Sequence, residues 1–205
     1  MKHIIFDFDG TIANSSIVFM HGWNEYADQF NYLRVNEQDI LLARTMTLQQ
    51  CAKKFNFPMY KMPIILPKIY SYFKRHVHEI HLYEGMRETL NTLKQQGFKL
   101  YILSSNDKGN IESFLQIQQI TAIDEVLTSN KLFGKDRVLQ KFMKQRQIHK
   151  EEIFYIGDEL RDIEACNKCG ISFGWASWGL QGFDLIAKEN PKLVFNTPED
   201  IVTQL

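Results

Sequence analysis

Short apolar segments that alternate with helical patterns constrain the fold of this 205-residue chain more than any other feature. The segments lie at residues 4–6, 99–103, 123–127, 153–156, 171–175 and 193–195. Short runs rich in β-branched and aromatic residues, bounded by polar residues or glycine, are typical of strands that are buried on both faces. Because helical patterns separate most of them, the sequence predicts an α/β fold with a doubly wound parallel sheet.

The intervening helices are visible in the spacing of apolar side chains. Met86, Leu90 and Leu93 recur at helical intervals, and Gly97 follows as a stop signal. Residues 138–143 repeat apolar positions in a similar way. Both patterns predict helices that pack one face on the sheet.

One long stretch breaks the alternation of strands and helices. From about Ser15 to His81 no convincing strand is found, and several amphipathic helical patterns follow one another. We therefore predict an α-helical insertion at residues 15–82, with residues 1–14 and 83–205 forming the α/β core.

Composition limits the partners and the compartment that we expect. The 24 basic and 24 acidic side chains cancel, so no net field attracts nucleic acid or an anionic membrane. The three cysteines, Cys51, Cys166 and Cys169, are an odd number, which favours a reducing compartment. No apolar segment approaches the length of a membrane span. We expect a cytoplasmic protein that acts as a monomer or a homodimer.

Polar side chains gather at the predicted carboxyl ends of the strands, where an open parallel sheet binds its ligands. Taken singly, each is also common in turns and helix caps. Their joint occurrence in this order favours a functional site over that explanation. The residues are Asp7, Asp9, Gly10 and Thr11, then Ser104, Ser105 and Asn106, then Lys135, and finally Gly157, Asp158 and Asp162.

These residues resemble the four ordered motifs of the haloacid dehalogenase-like hydrolases, which have a Rossmann-like core. The first motif corresponds to residues 7–11, the next two to Ser104 and Lys135, and the last to Gly157, Asp158 and Asp162. The helical insertion resembles the small cap of that superfamily. The tail, with Trp178-Gly179, Asn190-Pro191 and Pro198-Glu199, is similar to the phosphoglycolate phosphatase-like branch.

The resemblance implies a covalent mechanism. Asp7 would attack a phosphoryl group and become an aspartyl phosphate. Asp9 would protonate the leaving alcohol and then activate the water that hydrolyses the intermediate. The cofactor would be Mg²⁺, with Asp7 and Asp158 as direct ligands and the backbone carbonyl of Asp9 as a third. Asp162 would bind the metal through water or orient Lys135.

The remaining candidates would hold the phosphoryl group and the rest of the substrate. The resemblance assigns the transferring oxygens to Ser104 and the amides that follow it, and assigns charge neutralisation to Lys135. Arg44, between helical patterns of the insertion, is a candidate contact for a carboxylate or phosphate of the substrate. The other residues expected to line the phosphate site are Gly10, Thr11, Ser105 and Asn106.

The expected substrate is a small phosphorylated metabolite, of which phosphoglycolate is one example. Two alternatives remain open at this point. A phosphomutase shares all four motifs, and a noncatalytic module could retain the fold to bind a phosphorylated ligand. A dehalogenase is disfavoured, because that branch lacks the second aspartate, Asp9.

Overall fold

The computed structural model describes residues 2–129 and 134–205. The strands are His3–Phe6 (β1), Ala13–Asn14 (β2), His81–Leu82 (β3), Lys99–Ser104 (β4), Glu125–Thr128 (β5), Ile153–Gly157 (β6), Ser172–Ala176 (β7) and Leu193–Phe195 (β8). The α-helices are Ser16–Phe30 (α1), Glu37–Ala43 (α2), Leu48–Lys54 (α3), Met62–Arg75 (α4), Met86–Gln95 (α5), Lys108–Ile117 (α6), Lys135–Arg146 (α7), Leu160–Cys169 (α8), Phe183–Ile186 (α9) and Pro198–Gln204 (α10). Short 3₁₀ turns occupy Met59–Lys61, Val77–Glu79, Lys150–Glu152 and Ala187–Glu189.

Within these residues the main sheet has six parallel strands in the order β5-β4-β1-β6-β7-β8. Strand β1 lies at the centre, where His3 pairs with Lys99 on one side and with Ile153 on the other. The chain adds strands first on the β4 side and then on the β6 side, so β1 marks the point where the strand order reverses. Ligands of open α/β sheets bind at this point.

Alternating side chains divide the core between the two faces of the sheet. Ile4 and Phe6 of β1 join the apolar cluster that contains residues of α5, α6 and α10. Ile5 points to the opposite face, where it packs with residues of α7 and α8. This period-two alternation confirms the prediction of a doubly wound sheet that is buried on both faces.

Helices α1 to α4 lie between β2 and β3 in sequence and form the inserted cap. Ala27, Ala52, Phe57, Ile65 and Ile69 contribute to a separate apolar cluster within it. Capping boxes begin α2 at Asn36 and α3 at Thr47.

The two ends of this helical segment meet in a feature that the sequence did not reveal. Ala13 and Asn14 of β2 pair antiparallel with Leu82 and His81 of β3. The expectation that no strand occurs up to His81 was therefore wrong by one residue. Two-residue strands are too short for apolar alternation to be recognised. No helix in the described ranges is long and apolar enough to cross a membrane.

Candidate active site

Asp7 lies immediately beyond β1, at the reversal of strand order. Its backbone N–H donates to the carbonyl of Ile156 over 2.8 Å, and its Oδ1 accepts from the Phe8 amide at 2.7 Å. Lys135, the first residue of α7, places its Nζ 2.8 Å from Asp7 Oδ2. The same ammonium donates to Asp162 Oδ1 at 2.5 Å. A buried lysine therefore joins two buried carboxylates.

A third carboxylate completes an acidic cluster. Asp158 follows the last residue of β6, and Asp162 lies in the first turn of α8. One carboxylate oxygen from each of Asp7, Asp158 and Asp162 lies within 4.8 Å of the others, and all three residues are buried. In the described ranges Asp7 Oδ2 accepts no hydrogen bond, since its contact with Lys135 lacks that geometry.

The pKa values show the electrostatic cost of this arrangement. Burial, followed by the charge of Asp162, raises the pKa of Asp7 well above its ordinary value despite the opposing effect of Lys135. Burial, with Glu159 and Asp162, raises the pKa of Asp158 to about 8. Burial acts to lower the pKa of Lys135, but the negative charges of Asp162 and Asp7 outweigh burial and raise that pKa.

The donor set fits a magnesium ion. Carboxylate oxygens are the hard ligands that Mg²⁺ prefers, and it keeps several waters where the protein supplies few ligands. Three clustered carboxylates facing a single ammonium carry excess negative charge, and the contact of Asp7 Oδ2 with Lys135 lacks hydrogen-bond geometry. A divalent cation would neutralise the excess charge and give Asp7 Oδ2 a further partner.

The conformation of Asp158 is fixed from two sides. Thr11 Oγ1 donates to its Oδ1 and the Leu180 amide donates to its Oδ2, each over 2.7 Å. Gly10 and Gly179 lie so close that a Cβ atom at either would collide with the Asp158 side chain. Thus Gly10 and Thr11, which sequence analysis assigned to the phosphate site, shape the acidic cluster.

Asp9 is held apart from this cluster. Its Oδ1 accepts from Ser15 Oγ at 2.7 Å, and its Oδ2 accepts from Asn106 Nδ2 at 3.0 Å. Burial raises the pKa of Asp9, against the opposing effect of these two hydrogen bonds. A carboxyl group with a raised pKa is suited to donate a proton.

The second strand end brings the phosphate-site candidates beside Asp9. Ser104, at the end of β4, is buried, and its Oγ accepts from the Asn106 amide at 3.0 Å. Through its side-chain amide Asn106 connects this turn to Asp9. Ser105 Oγ accepts from Arg161 at 3.2 Å. The structure therefore brings together the candidates that follow β1, β4 and β6, with Lys135 among them.

Sequence analysis missed two neighbours of these residues. Arg161 lies 2.5 Å from Glu159 at the start of α8. Burial acts to lower the pKa of Arg161, but the charge of Glu159 outweighs burial and the pKa lies well above its ordinary value. Tyr155 accepts from Lys135 Nζ at 3.1 Å and donates to the Leu103 carbonyl at 3.1 Å. In the sequence, Glu159 and Arg161 lie between Asp158 and Asp162, and this oppositely charged pair was a visible signal of a site residue. Tyr155 resembled any other strand residue.

Arg44 connects the cap to the core. Its Nη1 donates to the carbonyl oxygens of Trp178 and Gly179, and its Nη2 donates to that of Ser177 at 3.1 Å. Its own carbonyl accepts from the Gly182 amide at 2.8 Å. The predicted contact with a substrate anion remains a prediction, and the contacts that Arg44 makes here are to neutral carbonyls of the core.

A cavity of about 500 Å³ opens between the cap and the carboxyl ends of the strands. Asp9, Ser105 and Asn106 lie in its wall on the core side, and Arg44 and Leu66 are among the cap residues that line it. Its size is within the range of about 300–1,000 Å³ that is usual for small-molecule sites. The proton-donor candidate Asp9 is therefore in contact with a pocket large enough for a substrate.

Comparison with known proteins agrees with this geometry. The family model described as haloacid dehalogenase-like hydrolase matches residues 4–176. The chain belongs to this family. It is 28% identical to a phosphoglycolate phosphatase of Synechococcus elongatus, over 100% of this chain and 99% of the relative. A pyrophosphatase PpaX of Halalkalibacterium halodurans is 22% identical over 97% of this chain and 94% of its own length.

A solved structure supports the fold of this family member. A haloacid dehalogenase-like family hydrolase from Streptococcus pneumoniae superposes with a TM-score of 0.83 and 18% identity, covering 100% of this chain and 98% of the other. Together with the family model, the relatives identify the chain as a phosphatase of the phosphoglycolate phosphatase-like branch.

Proposed function

We propose that this protein is a Mg²⁺-dependent phosphatase that hydrolyses small phosphomonoesters through an aspartyl phosphate on Asp7. The observation that carries the proposal is the contact of Lys135 with both Asp7 and Asp162, within a buried cluster that includes Asp158. An ammonium and a divalent cation together relieve the repulsion between a carboxylate nucleophile and a phosphate dianion.

The first step forms the intermediate. A carboxylate oxygen of Asp7 attacks phosphorus, and the bond between phosphorus and the ester oxygen breaks. The departing oxygen takes the proton of Asp9, whose raised pKa keeps that proton available. Ser15 and Asn106 hold the Asp9 carboxyl group toward the cavity in which the leaving group would lie.

The second step releases phosphate. The Asp9 carboxylate removes a proton from water, the water oxygen attacks phosphorus, and the bond from phosphorus to Asp7 breaks. Asp9 ends protonated and Asp7 ends as a carboxylate, so both return to their starting states. Lys135 and the turn after Ser104 would stabilise charge on the phosphoryl oxygens during both steps.

The metal would be held by Asp7 and Asp158, with the Asp9 carbonyl as a further ligand. When bound, Mg²⁺ supplies charge neutralisation at the phosphoryl oxygens and lowers the cost of the buried carboxylates. Asp162 already holds Lys135 over 2.5 Å, which favours an orienting role for it over direct ligation.

The cap would exclude water from the reaction. We propose that residues 15–82 form this cap and that residues 1–14 and 83–205 form the core. The three cysteines are free, which is compatible with the proposed cytoplasmic location. Phosphoglycolate and pyrophosphate are test substrates suggested by the names of the relatives.

The test is phosphate release from a panel of phosphomonoesters with Mg²⁺ or with EDTA. We expect Asp7→Asn to lower kcat by at least about three orders of magnitude, because it removes the nucleophile. Asp184→Asn, a change at an exposed position of α9, is the matched control and should retain wild-type kcat. Equal turnover of Asp7→Asn and wild type would contradict the mechanism.

A trapping experiment identifies the intermediate directly. In Asp9→Asn, acetyl phosphate, whose leaving group needs little protonation, should phosphorylate Asp7 faster than water removes the phosphate. Rapid quenching and peptide mass spectrometry should then locate phosphate on the peptide that contains Asp7. Transfer of phosphate between sugar hydroxyls without release would favour the mutase, and binding without a trapped adduct would favour the noncatalytic module.

A further inference from the structure

The cavity beside Asp9 has an unusual charge balance for an enzyme whose substrate is a small dianion. Besides the proton donor Asp9, three carboxylates lie in its wall, whereas its basic lining residues in the described ranges are Arg44 and Arg161. The three carboxylates are Asp39, Glu159 and Glu164. A net negative wall opposes a leaving group that carries a carboxylate or a second phosphate.

Both arginines already have partners. Arg161 pairs with Glu159 over 2.5 Å and donates to Ser105 over 3.2 Å. Arg44 donates from both terminal nitrogens to carbonyls of residues 177–179. A substrate carboxylate would have to share a guanidinium that is already paired with Glu159 or bonded to backbone carbonyls. Burying that carboxylate without a cation is costly.

The rest of the wall is largely apolar. Aromatic rings and aliphatic side chains from the cap face aromatic rings of the core across the space. Representative members are Trp23, Phe57, Leu66, Tyr83 and Trp178. Such a wall gains free energy by removing apolar ligand surface from water. It gains nothing comparable from glycolate or from inorganic phosphate.

We infer that the substrate is a phosphomonoester whose leaving group is uncharged, largely apolar and about the size of a benzyl or hexyl group. The inference rests on the proposed function, because Asp9 must face the ester oxygen for the leaving group to enter this cavity. After Asp9 gives its proton to that oxygen, the group departs as a neutral alcohol, and water completes the release of phosphate.

The experiment compares kcat/KM for four compounds with Mg²⁺ present. Benzyl phosphate and n-hexyl phosphate carry apolar groups, and 2-phosphoglycolate and pyrophosphate carry charged ones. Benzyl, hexyl and glycolate esters are all primary, so their intrinsic reactivities are similar. We expect kcat/KM to be at least about tenfold higher for the two apolar esters.

Two variants of α4 test where the apolar group binds. Leu66 lines the cavity, whereas Ile64, two residues earlier, is 58% exposed. Leu66→Lys should lower the ratio of kcat/KM for hexyl phosphate to that for phosphoglycolate by at least about tenfold, because it places a charge against the apolar group. Ile64→Lys should leave both constants at wild-type values. Circular dichroism checks the fold, and Leu48→Lys on α3 is the substitute if Leu66→Lys does not fold.

The outcomes separate the two proposals. A higher kcat/KM for phosphoglycolate or pyrophosphate would overturn the inference and leave the phosphatase proposal intact. An unchanged ratio in folded Leu66→Lys would also overturn it. No turnover of any compound, including acetyl phosphate, would overturn the phosphatase proposal and the inference with it.

Discussion

Gly10 shows how closely the acidic cluster depends on a missing side chain. Its φ of +81° lies in the left-handed region, and a Cβ atom there would collide with the Asp158 carboxylate. Gly97 has a similar φ of +89°, but a Cβ atom there would meet nothing within 4 Å. Comparing alanine substitutions at the two positions therefore separates the free-energy cost of backbone strain from the cost of a collision with Asp158.

We predict that Gly97→Ala lowers the free energy of unfolding by about 1–2 kcal/mol through strain alone. Gly10→Ala should cost at least about 1 kcal/mol more and should also lower kcat, because Asp158 must move. Urea unfolding and phosphate release measure the two effects. Equal costs with normal turnover in both variants would show that Asp158 tolerates the added carbon.

At the residue scale, the sequence predicts which side chains lie together where a motif places them at the end of a strand. Asp7, Asp158 and Asp162 could be placed near one another because each follows or adjoins a strand end of a parallel sheet. The partners of Asp9 were not predictable. Ser15 and Asn106 reach it from the start of the cap and from the turn after β4, and only the folded chain brings these segments together.

The Arg44 side chain of the cap bonds the loop that follows β7. Because its guanidinium donates to carbonyls of residues 177–179, Arg44→Gln should loosen closure over the cavity. We predict that kcat/KM falls by about tenfold, and by a similar factor for every ester that is tested. Steady-state kinetics on the four-compound panel measures this.

The control for this prediction is a second cap arginine. Arg34 pairs with Asp28 at the surface, 2.6 Å apart, and Arg34→Gln should leave kcat/KM unchanged. A selective rise of KM for phosphoglycolate in Arg44→Gln would instead support the role in binding a substrate anion that sequence analysis suggested for this arginine.

Helix α5 and strand β4 are joined through Asp124, just before β5. Its Oδ2 accepts from Lys94 Nζ at 2.6 Å and from the Leu100 amide at 2.9 Å. Although burial acts to raise the pKa of Asp124, the hydrogen bonds from Lys94 and Leu100 and the charges of Lys94 and Lys99 outweigh it and lower that pKa.

A lowered pKa means that Asp124 stabilises the fold at pH values above its unfolded pKa of about 3.9. The stabilisation is lost as pH falls through its folded-state pKa. We predict that Asp124→Asn costs roughly 1–2 kcal/mol at pH 7 and a smaller amount at pH of about 3, where the unfolded carboxyl group is largely protonated. Urea unfolding at both pH values, with Asp184→Asn as the control, measures the difference. An equal cost at both pH values would contradict the assignment to the charged carboxylate.

At the element scale, apolar runs located all six strands of the main sheet within one or two residues. The run at residues 123–127 begins earlier than β5, which starts at Glu125, because apolar character continues into the preceding loop. The β2–β3 pair was missed since it has two residues on each side and no apolar alternation. Long periodic elements leave a pattern, whereas short ones depend on tertiary pairing.

The whole molecule combines a six-stranded parallel sheet, within the described residues, with an inserted helical unit that enters and leaves through β2 and β3. These strands pair directly, so both connections between cap and core lie side by side. Adjacent connections permit the cap to move as a unit about them, which is a common arrangement for closure over a substrate. The insertion was predictable because it breaks the alternation of strands and helices in the sequence. The apolar cavity was not predictable, because it is lined by residues of both the cap and the core and depends on how the two pack.

Metal binding should appear in the stability of the whole molecule. Three buried carboxylates within 4.8 Å repel one another in the folded chain, and an unfolded chain would separate them. A ligand that binds the folded state alone stabilises it by about 2.7 kcal/mol at 100 times its Kd. We therefore predict that Mg²⁺ raises the Tm of the wild-type protein and that EDTA reverses the increase.

Asp158→Asn tests whether this linkage arises at the proposed site. The variant removes one charge from the cluster and one strong oxygen ligand, so Mg²⁺ should produce little increase in its Tm. Asp184→Asn, changed on the exposed surface, should show the full wild-type increase. The readout is thermal unfolding followed by circular dichroism, and it does not depend on turnover. A Mg²⁺-induced increase of equal size in both variants would place the metal elsewhere, because weak surface binding does not distinguish Asp158 from any other carboxylate.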